Sequence, residues 1–77
     1  MPHIAIKHFP KDFTDEQRQR LAEAITSVVV RHFGTYDGAV SIALEPVAQD
    51  EWQEKVLVPE IREREHLLLK APHYRPA

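Results

Sequence analysis

The sequence predicts an α/β fold built on a single βαβ unit, and two patterns lead to this class. Residues 3–9 and 39–45 alternate apolar and polar side chains, as half-buried strands do. Residues 14–34 lie between them and carry apolar side chains at helical spacing. A strand, a helix of about 20 residues and a second strand form a βαβ unit, whose strands are parallel and whose crossover is almost always right-handed.

The chain is short and contains no cysteine. Its 77 residues are expected to form one domain over residues 1–77. A domain of this size buries only about 60% of the surface of its unfolded chain. Because disulfides and thiolate zinc sites are excluded, oligomerisation is the remaining route to a stable small fold.

The charges are balanced and mixed along the chain. Ten basic and 12 acidic residues give a formal net charge of −2, so the sequence shows no electrostatic footprint for nucleic acid or anionic lipid. The first residues lack the features of a signal peptide, and no apolar run approaches the roughly 20 residues of a membrane span. We therefore expect a cytoplasmic protein without nucleic-acid or membrane partners.

The first strand is expected over Pro2–Phe9. Successive side chains of a strand point to opposite faces, so Ile4 and Ile6 share one face while His3 and Lys7 share the other. The apolar face is expected to pack against the helix.

The helix has clear start and stop signals. Thr14 supplies an N-cap, acidic residues follow in the first turn, and Gln17 is a capping-box partner. Gly34 is the residue type that most easily takes the left-handed conformation that ends a helix. The residues at helical spacing are Leu21, Ile25, Val28, Val29 and His32.

The second strand is expected over residues 39–45, with Val40, Ile42 and Leu44 on one face and an end near Pro46. Two strands with one helix leave a sheet edge and a sheet face uncovered. This architecture therefore predicts a partner chain that completes the sheet.

The last third of the chain is expected to be helical in two segments. Asp50–Leu57 has helical spacing, Pro59 interrupts it, and Glu60–Lys70 continues as a second helix that Pro59 opens. The proline spacing of residues 71–77 forbids a regular helix, so this tail should wrap a surface or be loose. The expected buried side comprises Trp52, Val56, Ile61 and Leu68.

The sequence does not favour a metal centre or a serine nucleophile. Of the five histidines, His3 and His8 are an odd number of residues apart and so lie on opposite faces of a strand. The other histidines lack zinc-type spacing. Ser27 and Ser41 lack the glycines of a nucleophile elbow. We therefore expect neither a metal nor another cofactor.

Pro2 follows the initiator methionine, and this position can give it a reactive amine that an internal proline lacks. A small second residue permits removal of Met1, which would leave Pro2 as a free secondary amine. An α-amino group titrates closer to neutrality than lysine, and an apolar pocket or a nearby cation would lower its pKa further. Such an amine can act as a general base near pH 7. The plainer alternative is that Pro2 merely begins the strand.

Several stretches together resemble the tautomerase superfamily, specifically the 4-oxalocrotonate tautomerase family. They are the Pro2-His3-Ile4 start, the Thr14-Asp15-Glu16-Gln17 helix opening, the Ser41-Ile42-Ala43-Leu44 strand and Trp52. The resemblance covers the whole chain. It implies a cofactor-independent keto–enol tautomerase in which Pro2, after loss of Met1, moves a proton between an enol oxygen and the carbon beside a carbonyl. The implied substrates are 2-keto acids or their enols, such as phenylpyruvate.

Two other functions remain open at this point. The same scaffold could serve a hydratase or dehalogenase in which protonated Pro2 acts as an acid while another residue activates water. The chain could also be a non-catalytic, homo-oligomeric binding module.

The chain departs from the family where relatives hold dicarboxylates with two arginines. Lys11 stands after the first strand and Ser41 stands in the second, so bidentate recognition by arginine is lost and dicarboxylate substrates are disfavoured. Trp52 falls where relatives place an aromatic wall of the pocket. Trp52, Ser41 and Lys11 are therefore the candidate substrate-binding residues. Each also has a plainer role. Trp52 could be a core or interface residue, Ser41 could simply face solvent, and Lys11 could be a solvated charge in a turn.

The resemblance also implies an oligomer. Short relatives form hexamers, but the longer segment from Asp50 onward would cover surface that those relatives bury between dimers. We therefore expect a homodimer whose two sheets join or pack, with a hexamer as the alternative. The active site is expected around Pro2, with walls from Trp52, the second strand and the partner chain.

Overall fold

The structure, a computed structural model, describes residues 1–74 and contains one βαβ unit followed by a helical segment. Strands β1 (His3–His8) and β2 (Ser41–Pro46) pair in parallel, and helix α1 (Asp15–Phe33) connects them. The α/β class and the parallel pair are therefore confirmed. The second strand begins later than expected, because Asp37–Ala39 forms a 3₁₀ turn before it.

The register of the two strands separates an apolar face from a polar one. Ile4 lies opposite Ile42, and Ile6 lies opposite Leu44, so these four side chains share one face and are half-buried. Leu21 of α1 lines the same small cavity as Ile42 and Leu44, which places the helix on this face. The apolar pattern of the strands is thus explained by their contact with α1.

Helix α1 begins and ends where the sequence predicts. The Thr14 hydroxyl accepts the Gln17 N–H at 3.1 Å, and the Thr14 N–H donates to Gln17 Oε1 at 3.0 Å, which completes the capping box. At the other end Gly34 takes a left-handed conformation (φ 64°), and its N–H donates to the Val30 carbonyl at 3.0 Å. The two ends of α1 are therefore fixed by local sequence.

Packing on α1 is shallower than the helical spacing suggests, since none of its residues is buried. Leu21, Ile25 and Val29 are half-buried, whereas Val28 and His32 are exposed. The helix contacts the sheet along a narrow stripe and presents the rest of its surface outward.

The expected break at Pro59 is wrong. After a 3₁₀ turn at Gln49–Glu51, a single π-helix runs through Pro59 over Gln53–Arg62. In an α-helix the Pro59 ring would meet the carbonyl four residues earlier, and the wider π turn relieves this clash. The expected second helix, Glu60–Lys70, is also wrong, because only a 3₁₀ turn at Glu65–Leu67 follows the π-helix.

Few side chains are buried within one chain. Of the expected buried side of the C-terminal segment, Val56 is buried, while Trp52, Ile61 and Leu68 are only half-buried. Among residues 1–74 the buried side chains are Ala39, Val47, Val56 and Leu57. Large apolar side chains that remain exposed include Phe33, Leu67 and Leu69.

Among residues 1–74, none of the helices combines the length and the apolar character that a membrane span requires.

Substituting Gly34 should cost stability through the backbone alone. A Cβ at this position would meet no atom within 4 Å, yet φ is 64°, so Gly34→Ala should lower the free energy of unfolding by about 1 kcal/mol. Urea denaturation at a fixed protein concentration measures this change. Gly38→Ala is the matched control, since Gly38 has no left-handed φ and its added Cβ would only touch the Tyr36 ring at 3.4 Å. Equal losses in the two variants would contradict this explanation.

Candidate active site

Of the site residues predicted from the sequence, Pro2 and Ser41 lie at one end of the sheet, while Trp52 and Lys11 lie at the other. We call Pro2, His3 and Ser41 the amino-end cluster, because they lie where the two parallel strands begin. We call Phe9, Trp52 and Tyr74 the aromatic cluster, which lies just beyond the end of β1. Lys11 follows Phe9 in sequence and belongs to this second end.

Pro2 is held by the backbone of the neighbouring strand. Its carbonyl accepts the Ser41 N–H at 3.2 Å, and the residue is half-buried. Met1, by contrast, is 93% exposed. The peptide bond that joins them therefore lies at the surface, while the ring of Pro2 has a fixed place at the end of the sheet.

Ser41 shares the amino-end cluster with a residue that sequence reasoning did not include in the site. His3 lies opposite Ser41 in the register, and its Nδ1 is 2.7 Å from Ser41 Oγ. Both side chains are exposed on the face of the sheet that α1 does not cover. Knowing which residues of the two strands lie opposite each other would have identified this pair, but the sequence offers no reason to align these two residues.

The aromatic cluster is built from three distant parts of the chain. The Phe9 ring meets the Trp52 indole edge to face, with 4.9 Å between the centroids and an interplanar angle of 82°. The indole Nε1–H donates to the Tyr74 hydroxyl at 3.2 Å. The tail thus wraps a surface as far as Tyr74, and the prediction for residues 75–77 lies outside the described residues.

Lys11 lies in the turn after β1 and is exposed. Its ammonium is 5.1 Å from the centroid of the Phe13 ring, a distance at which cation–π attraction operates. Phe13 also packs edge to face against His8, at 5.6 Å between centroids. The turn therefore carries two aromatic contacts, and the Lys11 ammonium lies over the Phe13 ring.

One chain does not bring the two clusters together. Pro2 and Phe9 are separated by the length of β1, which is about 23 Å at roughly 3.3 Å per residue. Ser41 is the one expected binding residue that lies beside Pro2, since Trp52 contacts Phe9 and Lys11 contacts Phe13. Within one chain Trp52 lies at the Phe9 end of β1, so a Trp52 wall at the Pro2 site stays a prediction.

The amino-end cluster can hold a small acid–base site. A free Pro2 amine would offer a lone pair, and the Ser41 hydroxyl and His3 imidazole beside it offer hydrogen-bond donors and acceptors. No group of three or more metal-ligating side chains comes together among residues 1–74. With a free Pro2 amine, this end would bring together a secondary amine, a hydroxyl and an imidazole, which are groups that can exchange protons.

The chain is similar to known proteins over nearly its whole length. Residues 2–62 match a family model described as "Tautomerase enzyme". "Tautomerase PptA" of Enterobacter sp. is 45% identical over 74 residues, which cover 96% of this chain and 97% of that protein. The proteins of the same name from Klebsiella pneumoniae and from an Escherichia coli strain are 46% and 39% identical over the same shares of the two chains.

The Trp52–Tyr74 hydrogen bond can be tested by fluorescence, because Trp52 is the single tryptophan of the sequence. Tyr74→Phe removes the acceptor, so the tail should loosen and acrylamide should quench the indole more strongly. Tyr36→Phe is the control, since Tyr36 is an exposed tyrosine on the other side of β2 in sequence. Identical quenching in wild type and Tyr74→Phe would show that this contact does not hold in solution.

Proposed function

Since this chain belongs to the tautomerase family of isomerases, we propose that it interconverts the keto and enol forms of 2-keto acids such as phenylpyruvate. The free amine of Pro2, exposed by loss of Met1, is the proposed general base and acid. The observation that carries this proposal is the position of Pro2, whose carbonyl is anchored to Ser41 while the preceding Met1 is open to solvent.

The proposed step needs one proton carrier. The Pro2 nitrogen takes the proton from the enol hydroxyl, and the carbonyl double bond forms as the electron pair of the carbon–carbon double bond moves to the neighbouring carbon. The same nitrogen, now protonated, delivers its proton to that carbon. Because the proline ring and the Ser41 contact fix the nitrogen, both transfers occur at one defined point.

A homodimer would complete this site, with a hexamer as the alternative assembly. The two-stranded sheet has unpaired edges, and the few buried residues leave many apolar side chains exposed within one chain. A two-fold partner whose strands run in the opposite direction would bring its aromatic cluster to the Pro2 end of the first chain. The Trp52 indole of that partner would then supply apolar surface that accepts an aryl ring and lowers the pKa of the amine.

The remaining elements of the proposal come from the sequence. A cytoplasmic location stays a prediction, as does the absence of a cofactor in the reaction. Lys11 lies at the same end of β1 as Trp52. It would therefore approach the Pro2 site of one chain only when it comes from the other chain of the proposed dimer.

Replacing the secondary amine of Pro2 by the primary amine of alanine, or blocking it as an amide by retaining Met1, should sharply lower activity. Pro2→Ala and a preparation that retains Met1, identified by intact mass, should each lower the rate of phenylenolpyruvate ketonisation by more than about 100-fold, the size of a general acid–base contribution. The reaction is monitored by the decrease in the ultraviolet absorbance of the enol. Pro10→Ala is the control, because Pro10 is an exposed proline just after β1. Full activity in Pro2→Ala and in the Met1-retaining protein would exclude the Pro2 mechanism.

Subunit mixing tests whether Pro2 and Trp52 of different chains share a site. Pro2→Ala and Trp52→Ala homo-oligomers should each be impaired. A mixed dimer pairs the intact Pro2 of one chain with the intact Trp52 of the other, so one of its two sites is complete. Because about half of the dimers in an equimolar refolded mixture are mixed, about a quarter of the wild-type activity should return. The mixture is unfolded, refolded and assayed, with each variant refolded separately as the control. No recovery in a mixture shown by mass to contain mixed dimers would contradict the shared site.

A further inference from the structure

His3 and Ser41 form a polar pair on the open face of the sheet, next to Pro2. Their side chains are 2.7 Å apart from His3 Nδ1 to Ser41 Oγ. The Ser41 N–H donates to the Pro2 carbonyl, and His3 follows Pro2 directly in the chain. The pair therefore lies within one residue of the amine proposed as the general base.

The direction of this hydrogen bond decides what the pair can bind. If the serine donates to a neutral imidazole, Oγ presents only lone pairs and disfavours an anion. If His3 Nδ1–H donates to Ser41 Oγ, the hydroxyl proton is free to donate to a further oxygen. A protonated imidazole can only donate, and its positive charge also attracts a carboxylate.

The nearby lysines do not provide this function within the chain. Lys7 lies on the same side of β1 as His3, but its ammonium is 3.3 Å from the Glu60 carboxylate. Lys11 lies beyond the other end of β1, over the Phe13 ring. The imidazole of His3 and the hydroxyl of Ser41, unlike these two ammonium groups, belong to residues joined directly to Pro2 by the chain or by a backbone hydrogen bond.

We propose that His3 is a positioning residue that directs the Ser41 hydroxyl to the carboxylate of a 2-keto acid bound at Pro2. This inference rests on the proposed tautomerase function and adds the group that recognises the acid. It assigns the site to monocarboxylates, because one hydroxyl with one imidazole can hold a single carboxylate.

The test compares an acid with its ester. Ketonisation of phenylenolpyruvate and of the enol of its methyl ester is followed for wild type, Ser41→Ala, His3→Phe and His3→Asn. The asparagine amide places a donor near the position of Nδ1 without a charge. Ser27→Ala and His32→Asn are matched controls, since both residues are exposed on α1. Gel filtration and thermal unfolding check that each variant is folded and assembled.

The ratio of kcat/KM for the acid to that for the ester should fall about ten-fold in Ser41→Ala and in His3→Phe, as expected for loss of a hydrogen bond to a charged group. The change should lie mainly in KM for the acid, because the carboxylate keeps its charge throughout the reaction. His3→Asn should keep a ratio closer to wild type, and both controls should keep the wild-type ratio.

An unchanged ratio in Ser41→Ala or in His3→Phe would overturn the inference, and so would equal losses in His3→Asn and His3→Phe. Equal losses on acid and ester would also overturn it, since they would indicate a structural role. Pro2→Ala separates these results from the proposed function. Loss of turnover of both substrates in Pro2→Ala and in the Met1-retaining protein supports the Pro2 mechanism, whereas full turnover in both would refute that mechanism whatever the ratios show.

Discussion

The parallel pairing of β1 with β2 is the constraint on which the rest of the molecule depends. Its register sets His3 against Ser41 and aligns the apolar residues of both strands on the side of α1. It also ties the Pro2 carbonyl to the first residue of β2. A shift of one residue would turn every side chain of a strand to the other face. The same pairing therefore determines the apolar contact with α1 and the polar surroundings of the amine.

The small chain provides limited burial to support this pairing. Four buried side chains among residues 1–74, and none on α1, provide little of the apolar burial that offsets chain entropy. A Lys7–Glu60 ion pair links β1 to the π-helix, but a partly exposed pair of this kind contributes about 1 kcal/mol or less. In the proposed dimer, burial of apolar side chains that one chain leaves exposed, such as Phe33, Leu67 and Leu69, would supply further stability.

The two ends of the sheet have different chemical characters. The amino end carries the proposed base with a hydroxyl and an imidazole, whereas the other end carries aromatic rings held by the Trp52–Tyr74 hydrogen bond. Recognition of an aryl 2-keto acid needs both characters in one pocket. Because β1 separates the two ends, symmetry between chains is the simplest way to combine them. Substrate recognition and assembly would then depend on the same surfaces.

The elements whose signals are local were predictable from the sequence alone. The capping box at Thr14, the glycine that ends α1 and the alternation of the strands are short-range features, and each was predicted correctly. The family resemblance, which depends on short motifs such as Pro2-His3-Ile4, was confirmed as well. The predicted helix break at Pro59 was wrong, because proline is disfavoured within an α-helix but the local sequence does not indicate a π-helix. The contact of His3 with Ser41 and the distance of Trp52 from Pro2 were visible only in the folded chain. The strand register and the path of the C-terminal segment back to the end of β1 are set by packing between residues distant in sequence.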